Sequence, residues 1–165
     1  HYPLRRQRQM CIRDRFTSSS YTEVTETFDI SELIENIISK YNNNNISSEI
    51  IPRIYMSGKR NLIKRSLHNL IDNALKYGDD IRVLISKKNK SINIIVDDNG
   101  PGIPENEYEN VFKPFYKIDK GRGSSKSSVG LGLSITSDII KSHGGNIFLE
   151  KSPLNGLRVK VILPL

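Results

Sequence analysis

Hydrophobic residues recur with two different periods along the chain, and these periods separate predicted helices from predicted strands. Spacings of three and four residues predict a first helix over residues 28–38, a second from near Lys59 to Gly78, and a third over about 131–143. Strand-like segments lie at 46–56, 81–86, 91–97, 146–151 and 157–163. This order predicts an α/β (α+β) two-layer sandwich, in which the helices pack on one face of a mixed β-sheet.

Local signals refine the boundaries of these elements. Either Asp29 or Ser31 is suited to cap the first helix. Pro52 has no N–H to donate, which confines its segment to an edge strand or a bulge. The stretch 87–90 reads as the turn of a hairpin, and Asn155-Gly156 predicts a second turn.

The composition fits one folded domain. The chain has 165 residues, of which 36% are hydrophobic, and it has a formal net charge of +7. Five arginines and one aspartate lie in residues 1–15, so the remainder is only mildly basic and gives little support for a nucleic-acid partner. The single cysteine, Cys11, excludes a disulfide framework. No run approaches the roughly 18 consecutive apolar residues of a membrane-spanning helix.

The first 27 residues are expected to lie outside the folded domain. Residues 1–15 follow no apolar period and resemble translated sequencing-adapter sequence, so we interpret them as a non-native leader. A disordered basic arm is the alternative interpretation. Residues 16–27 are rich in Ser and Thr and read as a linker, which leaves 28–165 as the domain.

The second predicted helix carries a polar group at a regular spacing. Asn69, Asn73 and Tyr77 are four residues apart, which places them on one face, predicted to lie opposite the apolar stripe, with Lys76 on the flank. An asparagine carbonyl suits a hard cation such as Mg²⁺, and a lysine suits phosphate. A solvated helix face is the alternative reading of the same residues.

The segment Asp98-Asn99-Gly100-Pro101-Gly102 follows a predicted buried strand. Its two glycines allow the backbone to turn closely around a flat or charged group. A buried carboxylate at Asp98 could accept a charge-assisted hydrogen bond from the exocyclic amine of adenine. A tight turn without a ligand is the alternative.

The third predicted helix begins at Gly130-Leu131-Gly132-Leu133, where free backbone N–H groups favour an anion. The long loop before this helix is rich in Lys, Arg and Ser, and loops of that length in a compact domain are usually functional. The loop could close over phosphates as a lid. A solvated loop is the alternative.

Together these segments resemble a known family. The stretches NLIDNALKYG, DDNGPG, FKPF and GLGL stand in the order and spacing of the N, G1, F and G2 boxes, at 69–78, 97–102, 112–115 and 130–133. The chain is similar to the ATP-binding catalytic domain of sensor histidine kinases, whose superfamily also includes DNA gyrase, the Hsp90 chaperones and MutL. The stretches FKPFYKID and KSHGG are similar to the EnvZ-type osmosensor group. The resemblance implies a Bergerat-type ATP-binding fold with a lid loop.

For the second helix and the turn that follows the strand, the resemblance implies specific roles. Asn73 is expected to hold Mg²⁺, Asn69 to support the metal and phosphates, Lys76 to contact a phosphate, and Tyr77 to pack against the nucleotide. Asp98 is expected to accept a hydrogen bond from the adenine amine. The adenine pocket is expected to be shaped by Gly100 and Gly102.

For the lid, the resemblance implies that Phe112 and Phe115 anchor it. Lys117 takes the place of an arginine that often assists at the γ-phosphate, so Asn69, Lys76 and Lys117 are the expected catalytic residues. The Gly130-Leu131-Gly132 segment is expected to seat the phosphates. Ser128 replaces a glycine that the family usually has, which bears on lid closure and nucleotide binding.

Asn69 separates two branches of that superfamily. The ATP-hydrolysing members have a glutamate there that activates water, and an asparagine cannot act as a base. Phosphoryl transfer needs chiefly positioning and charge neutralisation, so this position favours a kinase. A nucleotide-binding regulatory module without phosphotransfer, or another GHKL-type ATPase or serine kinase, is the alternative.

The expected substrates and partners follow from the resemblance. ATP and Mg²⁺ are the expected cofactors, and the phosphoryl group is expected to pass to a histidine on a separate dimerisation domain and then to an aspartate of a response regulator. His68 and His143 are interpreted as structural. A homodimer would form through the dimerisation domain, and this domain would be the cytoplasmic part of a bacterial inner-membrane protein.

Overall fold

A computed structural model describes residues 22–42, 45–116 and 132–165. The leader, residues 1–15, lies outside these ranges. The described part contains three helices: α1 (Ile30–Ser39), α2 (Arg60–Tyr77) and α3 (Gly132–Ser142). Its strands are β1 (Glu26–Asp29), β2 (Ile46–Ile50), β3 (Tyr55–Gly58), β4 (Ile81–Lys88), β5 (Ser91–Asp98), β6 (Asn146–Lys151) and β7 (Leu157–Pro164). Two short 3₁₀ turns, Glu105–Glu107 and Asn110–Phe112, follow β5.

Five strands form the main sheet, in the order β2-β4-β5-β7-β6. The pair β2–β4 is parallel and the other pairs are antiparallel, so the predicted mixed sheet is confirmed. In residues 81–85, 92–96 and 157–163 every second side chain is buried, and these side chains join apolar residues of the helices in one core. The other face of the sheet, called the outer face below, carries the alternate residues of the same strands.

The structure divides the predicted strand 46–56 into two. Residues 46–50 form β2 at the edge of the main sheet, whereas β3 pairs with β1 in a separate two-stranded antiparallel sheet. Pro52 lies between them, and Arg53 has a positive φ of 60°, so the chain changes direction there. The proline therefore ends a strand instead of forming a bulge within one.

The start of the domain also differs from the prediction. Glu26 and Thr27 belong to β1 and not to a linker, and Phe28 is a strand residue paired with Met56 instead of the first residue of a helix. Phe28 is buried in β1, and a buried residue at this position fits the helical spacing equally well, so the sequence pattern does not distinguish the two. The cap is Asp29, whose Oδ1 accepts hydrogen bonds from the N–H groups of Ser31 at 2.9 Å and Glu32 at 3.2 Å.

Side chains from distant segments satisfy the N-terminus of α2. The Glu23 carboxylate, in the predicted linker, accepts hydrogen bonds from the N–H groups of Asn61 and Leu62. His143 Nε2 accepts one from the N–H of Lys59 at 3.0 Å. These contacts support the structural reading of His143 and show that the ordered domain extends upstream of residue 28.

His68 lies on the side of α2 that packs toward α1. Its Nδ1 is 3.1 Å from the hydroxyl of Tyr41, which donates a hydrogen bond to Asp72 Oδ1 at 2.6 Å. Burial, together with the hydrogen bond and the negative charge of Asp72, raises the pKa of Tyr41 well above its ordinary value. This network joins α2 to the segment that follows α1 and supports a structural role for His68.

The predicted hairpin is present, with longer strands. Lys87 and Lys88 belong to β4, so the turn consists of Asn89 and Lys90 alone, and Asn89 takes a positive φ of 56°. None of the helices in the described ranges has the length and apolar character needed to cross a membrane.

Candidate functional site

The polar residues of α2 border its buried stripe. Asn69 and Asn73 are half-buried, three residues from the buried side chains of Ser66 and Leu70 respectively. The prediction that they lie opposite the apolar stripe is therefore wrong, because a helix advances 100° per residue and places them about 60° from those neighbours. Both residues are therefore partly shielded from water beside the core.

The C-terminal turn of α2 is more open. Tyr77 is 53% exposed, and the Lys76 ammonium lies 5.2 Å from the centroid of the Tyr77 ring, within the range of a cation–π interaction. Lys76 itself is exposed. The helix thus ends in an aromatic face and a positive charge, next to the two half-buried amides.

Two carboxylates are buried side by side at the end of β5. Because side chains alternate along a strand, Asp97 lies on the outer face and Asp98 on the helix side. Burial raises the pKa of Asp97, but hydrogen bonds and positive charge from Arg158 and Arg82 outweigh burial, and the pKa is held below its ordinary value. Asp97 is therefore a stable carboxylate in an ion-pair cluster.

Asp98 is 4% exposed and has no cationic partner among the described residues. Its Oδ1 accepts hydrogen bonds from the N–H of Gly100 at 2.9 Å and of Leu157 at 3.1 Å. Burial raises its pKa, those two hydrogen bonds oppose burial, and the charge on Asp97 adds to the rise, so the net pKa lies above its ordinary value. Within the described ranges no hydrogen bond reaches Oδ2, which is left to accept one from a ligand.

Glycines pack the backbone tightly around Asp98. A Cβ on Gly100 would lie 2.5 Å from the carbonyl oxygen of Tyr77, and one on Gly156 would lie 2.3 Å from the carbonyl oxygen of Asp98. Gly102 has a positive φ of 71° and faces Gly156. The turn after β5 is thus enclosed by the end of α2 on one side and the start of β7 on the other.

Asn99 fixes that turn to the end of α2. Its Oδ1 accepts hydrogen bonds from the N–H of Asp79 at 2.8 Å and of Asp80 at 2.9 Å. These two hydrogen bonds hold the segment from Tyr77 to the start of β4 against the segment that carries Asp98. The predicted N-box and G1-box residues Tyr77, Asp98 and Gly100 are therefore brought together.

The two predicted lid anchors differ in their surroundings. Phe112 is half-buried against the core beside the buried Val111, whereas Phe115 is 41% exposed and takes a positive φ of 63°. Next to Phe115, the hydroxyl of Tyr116 donates a hydrogen bond to Glu107. Only Phe112 has the packing expected of an anchor.

Several predicted residues lie outside the described residues: Lys117, Ser128, Gly130 and Leu131. Gly132 is the first residue of α3, and a Cβ added there would meet no atom within 4 Å. No described contact therefore requires a glycine at Gly132. The expected phosphate seat at the start of this helix stays a prediction.

Sequence reasoning missed the residues that support Asp98 from outside its own motif. Gly156 and Leu157 were predicted only as part of a turn and a strand, yet they contact Asp98 directly. The Asn155-Gly156 dipeptide was the available signal, since it marks a turn but does not say what the turn touches. The sequence does not single out Arg82 or Arg158, because an arginine at a polar position of an alternating strand is expected to face solvent.

The arrangement suits a flat, amine-bearing ring attached to phosphates. It offers a fixed carboxylate oxygen, a glycine-lined turn, an aromatic ring, two amides and a lysine. The described residues contain no group of three or more His, Cys, Asp or Glu side chains that could hold a metal alone. A cation here would bind to an asparagine carbonyl together with phosphate oxygens, which is the coordination that Mg²⁺ commonly takes.

Comparisons with known proteins agree with this reading. Residues 58–165 match the family described as histidine kinase-, DNA gyrase B-, and HSP90-like ATPases. The sensor histidine kinase GtrS of Pseudomonas aeruginosa is 34% identical over 157 residues, which is 93% of this chain and 31% of GtrS. The chain spans less than a third of the length of the first curated relatives that it matches.

Solved structures give the same result. The catalytic domain of the histidine kinase ThkA superposes with a TM-score of 0.72 at 28% identity, covering 86% of this chain and 95% of that one. The histidine kinase domain of the Escherichia coli osmosensor EnvZ superposes with a TM-score of 0.63 at 28% identity, covering 85% and 88%. The expected fold is confirmed, and the chain belongs to the family of histidine kinase-, DNA gyrase B- and HSP90-like ATPases.

Proposed function

We propose that this domain binds Mg²⁺-ATP and transfers the γ-phosphoryl group to a histidine of a separate helical domain, as the catalytic part of a two-component sensor kinase. The observation that carries the proposal is Asp98, a buried carboxylate with one oxygen held by two backbone N–H groups and the other without a partner in the described ranges. Such an oxygen is prepared to accept a hydrogen bond from the 6-amino group of adenine.

The base and the phosphates would be bound at different parts of the site. The adenine ring lies beside the Gly100 turn, where its amine donates to the free Oδ2 of Asp98. Gly100 keeps this turn in place, because a side chain there would collide with the Tyr77 carbonyl and displace the turn that carries Asp98. Lys76 and the half-buried amides of Asn69 and Asn73 then lie along α2 for the phosphate side.

The metal would be held by the carbonyl oxygen of Asn73, supported by Asn69, and by oxygens of the phosphates. Mg²⁺ neutralises negative charge on the transferring group when it is bound. Asn73 fits this role because its amide is half-buried beside the core, so few rotamers need to be frozen when it binds. The exposed Lys76 adds positive charge near the same phosphates, and Lys117 is proposed to do so from the lid.

In the transfer step, an imidazole nitrogen of the acceptor histidine forms a bond to the γ-phosphorus as the bond between that phosphorus and the β–γ bridging oxygen breaks. ADP leaves with the bridging oxygen, and the phosphoryl group is carried on the histidine. Asn69 has no proton-accepting role, which suits a nucleophile that is already neutral imidazole and does not suit activation of water. A response-regulator aspartate is the proposed final acceptor.

A binding-only regulatory module is the second candidate, and the observation that favours it is Ser128, which replaces a glycine usual in the G2 box. The two candidates differ in one experiment. The chain is incubated with [γ-³²P]ATP, Mg²⁺ and the histidine-bearing dimerisation domain of its parent kinase. Acid-labile, alkali-stable labelling of that domain, lost with Asn73→Ala, supports the kinase. Tight nucleotide binding without labelling supports the binding-only module.

A further inference from the structure

The outer face of the sheet carries an ion-pair cluster directly behind the nucleotide site. Asp97 is 0% exposed although it lies on a face that no described helix covers. Arg158 donates to it from Nε at 2.7 Å and from Nη2 at 2.9 Å, and Arg82 donates from Nη2 at 3.1 Å. The three residues are direct neighbours across β4, β5 and β7.

The cluster lies at the last residue pair of the β5–β7 strand pairing. Asp97 and Arg158 form the final paired position, and the next residues in register are Asp98 and Leu157. There the ladder pattern changes, because the N–H of Leu157 donates to the Asp98 side chain at 3.1 Å. The side-chain pair on the outer face and the hydrogen bond on the helix side are therefore one residue apart on both strands.

This adjacency makes the position of the Asp98 carboxylate depend on the pair behind it. Asp97 and Asp98 share one planar peptide unit, as do Leu157 and Arg158, so a backbone shift at the Asp97–Arg158 pair also moves the adjoining backbone atoms of Asp98 and Leu157. Gly156 adds to the coupling, because a Cβ there would lie only 2.3 Å from both Oδ1 and the carbonyl oxygen of Asp98. Little room is left for the carboxylate to settle elsewhere.

We propose that Arg158, through its bidentate ion pair with Asp97, is a positioning residue. It holds the Asp98 carboxylate in the place where that carboxylate accepts a hydrogen bond from the 6-amino group of the base. This inference rests on the proposed function, since it assigns a determinant of base specificity to the same site. Arg158 acts from the opposite face of the sheet and touches no nucleotide.

Geometry ranks the two arginines. Arg158 makes two parallel hydrogen bonds, which fix direction as well as distance, whereas Arg82 makes one and its buried Nε has no partner in the described ranges. Loss of Arg158 therefore removes the side-chain link between β5 and β7 at this position and leaves the buried Asp97 carboxylate with one hydrogen bond, so the end of β5 is free to shift. Loss of Arg82 leaves the two-bonded contact in place and is expected to have a smaller effect.

The test compares nucleotides that differ at position 6 of the purine. ADP carries an amine there and IDP an oxygen, and neither requires turnover. Calorimetric titration in Mg²⁺ gives a dissociation constant for each, and their ratio measures recognition at position 6. The wild-type chain is expected to prefer ADP by about tenfold or more, the value of one hydrogen bond to a charged group.

Arg158→Gln is expected to lower this preference by about threefold to tenfold, because a displaced carboxylate makes a longer or bent hydrogen bond. Arg158→Lys keeps the charge but not the bidentate geometry, so its ADP preference should lie between those of the wild type and Arg158→Gln. Lys160→Gln is the matched control: it removes a positive charge from the same strand and face two residues away, where no ion pair is formed in the described ranges. It should leave the preference unchanged.

The thermal unfolding midpoint of each variant separates positioning from stability. A folded Arg158→Gln variant with a lower midpoint and an unaltered ADP-to-IDP ratio would overturn the inference, since a merely structural residue behaves in that way. If Arg158→Gln does not fold, Arg158→Lys decides the question by the same ratio. A wild-type chain that binds ADP and IDP equally would instead contradict the proposed adenine site.

Discussion

Replacement of Asp98 by asparagine tests the adenine site with little change in shape. The amide oxygen of Asp98→Asn can still accept the N–H groups of Gly100 and Leu157, which lie 2.9 and 3.1 Å from Oδ1 in the wild type. The position of the free Oδ2 is then taken by an NH₂ group. An acceptor is thereby exchanged for a donor at the point where the base amine is expected.

The magnitude follows from the bond that is lost. A hydrogen bond to a charged group contributes about 1.5–3 kcal/mol, so binding of ADP should weaken by about 10- to 150-fold. IDP presents a carbonyl oxygen at position 6, to which the new NH₂ group can donate. Its binding should improve by about twofold to tenfold, from a neutral hydrogen bond of about 0.5–1.5 kcal/mol. The order of preference is therefore expected to reverse.

The fold should tolerate this change. Burial and the neighbouring Asp97 raise the pKa of Asp98, which means that the folded state disfavours its charge, and the neutral amide removes that cost. Asp98→Ala differs, because it leaves two N–H groups without their acceptor at about 1–3 kcal/mol each. Asp98→Asn should thus unfold near the wild-type midpoint, and Asp98→Ala well below it.

Titration with ADP and IDP, alongside thermal unfolding, is the assay. Asp98→Asn that keeps the wild-type affinity for ADP would refute the assignment of Asp98 to the base. If a folded Asp98→Asn variant binds ADP and IDP more weakly by the same factor, the carboxylate supports the turn and does not recognise the base.

Three further predictions concern separate parts of the domain. Because the pKa of Asp97 is lowered in the folded state, the ion pair stabilises the fold above the ordinary carboxyl pKa of about 4, and this stabilisation is lost as pH falls through the lowered value. Asp97→Asn should therefore lower the free energy of unfolding in urea by about 2 kcal/mol at pH 7 and by less at pH 3. An equal loss at both pH values would contradict the ion pair. Asn73→Ala should abolish the Mg²⁺ dependence of ATP-analogue binding measured by calorimetry, and a surviving dependence would move the metal elsewhere. Gly156→Ala should destabilise by about 1–3 kcal/mol because its Cβ would lie 2.3 Å from Asp98, whereas Gly132→Ala, with open space, should be neutral or stabilising by up to about 1 kcal/mol. Thermal unfolding checks both, and equal midpoints would contradict the close packing.

The elements that the sequence predicts well are those whose local pattern and tertiary environment agree. In α2, the apolar stripe from Ile63 to Ala74 is buried, and Gly78 follows the last helical residue. The hairpin of β4 and β5 also follows its pattern, apart from a turn shortened to Asn89 and Lys90. Here burial of one face is enough to determine both the element and its register.

The elements that it predicts poorly depend on pairing with distant residues. Phe28 fits a helical spacing, yet its backbone pairs with Met56 in a small second sheet. Glu23 looks like part of a polar linker, yet its carboxylate caps a helix 38 residues away. No local period encodes such contacts.

For the site, the motifs locate Asp98 and its glycines, but not what holds them. Gly156, Leu157 and Arg158 come from the other end of the chain, and only the β5–β7 register places them beside Asp98. A strand arginine opposite an aspartate becomes recognisable as a buried ion pair once that register is known. The residues that support this site are thus more distant in sequence from Asp98 than the residues of its own motif.

The proposed function requires that this domain binds ATP together with Mg²⁺, with Asp98 at the base and Asn73 at the metal. The most direct measurement is a calorimetric titration of the chain with a non-hydrolysable ATP analogue, with and without Mg²⁺, repeated with Asn73→Ala. We expect binding that strengthens with Mg²⁺ in the wild type and loses that dependence in the variant. No detectable binding by a folded wild-type chain, in either condition, would contradict it.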